Sequence, residues 1–210
     1  METNHAVAEP TKVVQGEYTV EHLRPSPEHM DKFMPIWNEA QAASEAGNEA
    51  RAQELLASLR PYQTHVRSET FPNIVTTVGK NDLLDKYLKG AAYTQTIRMG
   101  LKGAGAAVAG DTQASHASWV EQGLANAPTY TGNRKDVVMG SAAAAVSTSP
   151  VQAFAITSSG TVAGCFINNG GSATKDDTTG VLFSAGDFGG GSQAVANLDT
   201  LNVTYSLTAT

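Results

Sequence analysis

The chain has 210 residues, with 14 Lys+Arg against 20 Asp+Glu, a net charge of -6 and an isoelectric point near 5.3. That length can close one domain around a core, but the acidic balance argues against a nucleic-acid binder, which needs a basic stripe to displace condensed counterions. No run of about 18 apolar residues suits a membrane; the start, Met1-Glu2-Thr3-Asn4-His5, lacks the basic and apolar stretches of a secretory signal. The single cysteine, Cys165, fits folding in a reducing cytoplasm.

Taken in chain order, residues 1–11 read as a flexible tail, and Lys12 to Leu23, with Val14, Tyr18 and Val20, as a first strand. Ser26-Pro27-Glu28 carries the signals of a helix start. Met30, Phe33, Met34, Trp37 and Ala40 follow at helical spacing, with Pro35 expected to kink or split the helix. After a break at Gly47-Asn48, Glu49 to Leu59 forms a second helix with Ala52, Leu55, Leu56 and Leu59 on one face, ended by Pro61. Together these make an amphipathic helical hairpin. A third helix is expected over Lys80 to Leu88, stopped by Gly90.

The period then changes from helix to strand. Tyr93, Ile97, Met99 and Leu101 alternate with polar or small residues, and further strands are expected at His116–Glu121, Asp136–Gly140, Val151–Thr157, Thr161–Asn168 and Gly180–Ser184. Ser158-Ser159-Gly160 reads as the tight turn of a hairpin between two of them. The strongest signal is the last: Leu201, Val203, Tyr205 and Leu207 fall on one side, and Thr200, Asn202, Thr204, Ser206 and Thr208 on the other. The expected fold is mainly β with an α-helical hairpin, the strands forming an antiparallel β-sandwich or jelly roll. The expected organisation is a tail with a first strand (1–25), the hairpin (26–61) and the sandwich domain (62–210). Beyond Val137 only Lys175, Asp176, Asp177, Asp187 and Asp199 are charged. Abundant small residues and only 7% aromatics predict a thin core that leans on partners.

No chemistry-bearing constellation stands out, and no catalytic residue, cofactor or metal is expected. Asp187-Phe188-Gly189 lacks the company it keeps in kinases and reads as a turn before a glycine run. Gly103-Ala104-Gly105 has Val108 where a dinucleotide loop needs a third small residue, so Lys102 to Ala117 reads as a long surface loop. Asp176-Asp177, with Asp187 and Asp199 as possible neighbours, has the oxygen ligands a hard cation takes, but a solvated turn is the simpler reading. The five histidines, His5, His22, His29, His65 and His116, have no paired metal spacing. Cys165 sits in an apolar strand and reads as a buried small hydrophobe. Phe33, Met34 and Trp37 with Leu55 and Leu59 have two readings, an exposed docking patch or the hairpin's own core. Two short helices bury little alone, so these five are the candidate partner-binding residues.

One stretch resembles a known family. Phe71-Pro72-Asn73-Ile74-Val75-Thr76-Thr77-Val78-Gly79-Lys80-Asn81 followed by Leu83-Leu84-Asp85 is similar to the opening of small virion structural proteins of tailed bacteriophages. The segments Thr157 to Gly164, Leu182 to Phe188 and Asp199 to Tyr205 continue the resemblance, which spans roughly 70–210 and leaves the hairpin outside. It implies a structural role in a virion assembled in the host cytoplasm, with the major capsid protein or other virion proteins as partners and a homo-oligomeric state. A capsid decoration or cement protein is the favoured placement; a tail, neck or fibre-associated component is the alternative. A carbohydrate-binding module is a further alternative, for which the β half offers Trp119, Tyr93, Tyr130 and Tyr205 as stacking residues. No nucleic acid and no membrane partner is expected.

Overall fold

The computed structural model describes residues 14–90 and 96–209. The tail at 1–11 and Tyr93 therefore lie outside the described residues. The elements in chain order are β1 (Val14–Pro25), α1 (Met30–Glu45), α2 (Glu49–Ser58), β2 (Gln63–Pro72), β3 (Ile74–Val75), α3 (Thr77–Leu88), β4 (Ile97–Lys102), β5 (Glu121–Gln122), β6 (Lys135–Val137), β7 (Val146–Thr148), β8 (Gln152–Ala155), β9 (Gly160–Val162), β10 (Gly164–Asn169), β11 (Val181–Asp187), β12 (Gln193–Val195) and β13 (Thr200–Ala209).

The fold is mainly β, with antiparallel sheets and a helical hairpin, consistent with the β-sandwich class. One sheet runs β2-β1-β13, and β13 then pairs with β8 along Thr200–Val203 and with β7 along Ser206–Thr208. The other runs β3-β11-β10-β4, with β5 and β6 both on the far side of β4. A small sheet, β12-β9, adds a third pair.

β13 is central because its alternation fits it there: Leu201, Val203 and Tyr205 are buried in the inter-sheet core. Its other face is half-buried, and Thr200 is fully covered. From the facing sheet come Met99, Leu101, Cys165, Ile167 and Phe183. The core is not thin. Several of the aromatic residues are gathered in it, with Tyr18 5.5 Å from Phe71 and 5.0 Å from Tyr205, and Phe71 5.0 Å from Phe188, between ring centroids. The small residues are spent elsewhere. At Gly79, for example, an added Cβ would stand 2.4 Å from Phe183 O, so a side chain there would push α3 off β11.

Several expectations need correction. α1 is one continuous helix through Pro35 and is not split. It starts at Met30, because Ser26-Pro27-Glu28 enters a short 3-10 turn in which Ser26 makes no side-chain cap. The third helix begins earlier than expected, at Thr77, because the Thr76 hydroxyl accepts the Gly79 N–H at 3.0 Å and caps it. The hairpin expected around Ser158-Ser159-Gly160 does not form: β8 pairs with β13, whereas β9 pairs with β12 and β10 with β4 and β11. The chain crosses between sheets at that turn. His116–Glu121 is mostly turn, not strand; it wraps Trp119, which is buried against Phe166 and donates to Asp111 Oδ2 at 2.9 Å. The 103–120 loop is correspondingly not a free surface loop, since Ala107 and Trp119 close a small apolar cluster on the outer face of β10 and β11. β1 is no appendage to the sandwich; it lies between β2 and β13.

Candidate functional site

The five candidate partner-binding residues are brought together, but by the chain itself. Phe33 and Leu59 are 0% exposed, and Trp37 and Leu55 are buried with them. Met34 packs at the edge of the same cluster, half-buried. The Phe33 and Trp37 rings stack at 5.3 Å, and the sheet contributes Ala153 and Ala155 on the outer face of β8 to the same cluster. A partner cannot reach this set without opening the molecule, so the core reading replaces the docking reading. The physical reason is the small side chains of β8, which let α2 sit close on the sheet with α1 packed against it.

Polar contacts fasten the hairpin in place. The Gln53 amide acts as a short strand: its Nε2 donates to Ala153 O at 3.0 Å, and its Oε1 accepts Ala153 N–H at 2.8 Å. It thereby caps the edge of β8. Lys135, almost fully buried, donates to Glu49 Oε1 at 2.6 Å and to Thr131 O at 3.1 Å. Burial lowers the Lys135 ammonium from its ordinary range, with Glu49 opposing. Burial pushes the Glu49 carboxyl up, and Lys135, Gln53 and Ser44 outweigh it and hold it below the usual range.

The other sequence-flagged acids do not converge. Asp199 is held by Arg24 (2.8 and 2.7 Å) and by His22 Nε2 (2.7 Å). Asp187 pairs with the fully buried Lys102. Asp176 accepts Ala125 N–H at 3.0 Å, and Asp177 accepts Thr179 N–H at 2.8 Å. Among the described residues no group of three His, Cys, Asp or Glu side chains could hold a metal. Asp199 and Asp187 thus belong to separate ion pairs, not to a cation site with Asp176 and Asp177.

Composition did not reveal a buried polar layer. Arg134 and Glu121 form a two-bonded pair (2.9 and 2.6 Å), and Arg134 also donates to Asp177 O. Lys175 donates to Tyr130 O at 2.8 Å, and burial brings its ammonium down to about 8. Each cation here meets a carboxylate or carbonyl, which makes the layer a staple for loops and not a reactive centre. His22–Asp199 is the nearest thing to a catalytic dyad. Arg24 already occupies both Asp199 oxygens, and among the described residues no hydroxyl is hydrogen-bonded to the other His22 nitrogen. Cys165 is fully buried, and burial pushes its thiol far up, away from the reactive range.

Two surface features remain. An open polar cleft lies between the 113–121 and 176–178 segments, lined by Gln113, Ser115, His116, Trp119 and Asp176. Trp119 turns no free face to it, being buried under His116, whose ring stacks on it at 3.9 Å. Tyr130 and Tyr205 are also buried, so none of the described aromatics offered for sugar stacking is presented. The second feature is α3. Leu83, Leu84, Tyr87 and Leu88 are 37%, 53%, 83% and 71% exposed. An apolar cavity of about 260 Å³ adjoins the same helix, lined by Leu83, Ile97, Met139, Ile167, Phe183 and Leu207 among others. Sequence periodicity could not find this face, because exposure of a leucine depends on what packs over it. Among the described residues, no helix is long and apolar enough to cross a membrane.

No family model, no curated protein and no solved structure matches this chain.

Proposed function

We propose that the chain is a structural protein of a tailed-phage virion, a decoration or cement protein that sits on the head shell against the major capsid protein. The observation that carries this reading is α3, which presents Leu84, Tyr87 and Leu88 to solvent while the hairpin's apolar residues are spent internally. Exposed apolar residues gathered on one helix fit a protein–protein contact. The resemblance to phage virion proteins starts at Phe71 and runs into this helix, to Asp85. The docking element is therefore α3, and the partner is another virion protein. No catalytic role is assigned. The contact is apolar and resists salt better than a charge-driven one.

The test is to separate heads from tails of disrupted particles and quantify the chain in each by mass spectrometry. Many copies on heads, retained through a high-salt wash, are expected. Recovery with tails in a few copies would overturn the cement placement and point to a tail or neck component. Replacing Leu84 and Leu88 together by Ser should weaken head binding without lowering the melting temperature.

A further inference from the structure

We propose that two copies of this chain pair through the free edges of β2, antiparallel about a two-fold axis at Ser68. Most sheet edges are short or covered. Gln53 caps β8, and β3 and β5 are two residues each. β2 is ten residues long and, among the described residues, pairs only with β1. Thr64, Val66, Ser68 and Thr70 on it are exposed.

The hydrogen-bond phase of β2 is set at its end. Asn73 N–H donates to Gly16 O at 3.0 Å. By antiparallel alternation, Phe71, Glu69 and Arg67 exchange bonds with β1, and Ser68 and Thr70 turn their backbone groups to the open edge. Among the described residues those groups have no backbone partner. Such a row is a template for another strand.

Charge identifies that strand as β2 of a second copy and chooses the register. With Ser68 opposite Ser68, the Arg67 of each copy faces the Glu69 of the other, twice. Both pairs fall at non-hydrogen-bonded positions, where cross-strand side chains are closest. A slip of two residues sets Arg67 against Arg67 in one direction, or Glu69 against Glu69 in the other. A slip of one turns the wrong face inward. Within the chain the two side chains pair with each other on the core-facing side of β2, and across the axis the two pairs would form one alternating cluster of four charges. Arg67 lies 5.8 Å from the Phe188 ring centroid, and Glu69 Oε1 accepts Gly190 N–H at 3.1 Å. The bulge at Val66, where the register with β1 shifts, bends the strand and confines regular pairing to the residues around Ser68.

This pairing goes beyond the virion reading and stands or falls separately, because it is read on the purified full chain. In sedimentation equilibrium the wild type should reach twice the 21.9 kDa chain mass. Arg67→Glu alone and Glu69→Arg alone should each dimerise at least about tenfold more weakly, since like charges then face each other across the axis. An equal mixture of the two variants should dimerise again, because each Glu then meets an Arg of the other chain. Repair inside one chain cannot produce that rescue. Ser68→Pro, which removes only an outward N–H, should stay folded by circular dichroism and become monomeric. A monomeric wild type at its highest soluble concentration, a mixture that stays monomeric, or a dimeric Ser68→Pro variant would each overturn the proposal.

Discussion

Asp199 shows how much a single buried side chain decides. It is 0% exposed and ties β13 to β1 through Arg24 and His22. Burial pushes its carboxyl up. The bonds from Arg24, His22 and Ala196 N–H outweigh that and hold it at about 2, below its ordinary 3.8. A lowered carboxyl stabilises the fold fully above the unfolded value, and that stability is lost as pH falls from about 3.8 toward 2. The contribution is about 2 kcal/mol. Asp199→Asn should therefore cost about 2–4 kcal/mol at neutral pH, by removing the carboxylate to which the buried His22 and the half-exposed Arg24 are bonded. It should also flatten the acid limb of the stability curve. Urea unfolding of both proteins at neutral pH and near pH 3 measures both effects. In the sequence Asp199 looked like a possible cation ligand; its true partners lie more than 170 positions away in the chain.

At the scale of elements, β13 and the hairpin make opposite lessons. β13 was legible because its alternation runs without a fault: Leu201, Val203 and Tyr205 of its inward set are buried and Leu207 is partly so. Leu201→Asp should destabilise severely, because it places an unpaired charge in the inter-sheet core, whereas Thr204→Asp on the half-buried face should be mild. Thermal melts of the two variants check the facing; equal tolerance would show it to be wrong. For the hairpin, the period showed the apolar stripes but not what they face. Trp37→Ala should cost about 3–5 kcal/mol, since the ring is fully enclosed. Leu88→Ser on α3 should change stability by less than about 0.5 kcal/mol. Denaturant midpoints for this pair compare an internal apolar face with an external one.

At the scale of the molecule, the hairpin, sandwich and loops are one packed unit, held by the Gln53 amide cap, the Lys135–Glu49 pair and the Arg134–Glu121 pair. The acids near the 172–179 loop have protein partners. Melts with and without EDTA are therefore expected to coincide. A drop of many degrees in EDTA would place a stabilising cation on the chain.

Period alone determined the class of the strongly patterned segments. Helical spacing marked α1 and α2, alternation marked β13 and β4, and the crowding of charge into the first half marked the neutral β module. These are local properties, and side-chain periodicity records them directly. Only the tertiary structure decided which strands pair, that β8 and β9 part at Ser158-Ser159-Gly160, that Trp37 is core and Tyr87 surface, and that Lys135 finds Glu49 across 86 residues. Each of these depends on surfaces supplied by distant parts of the chain. A short apolar or polar run carries no mark of the partner that will cover it.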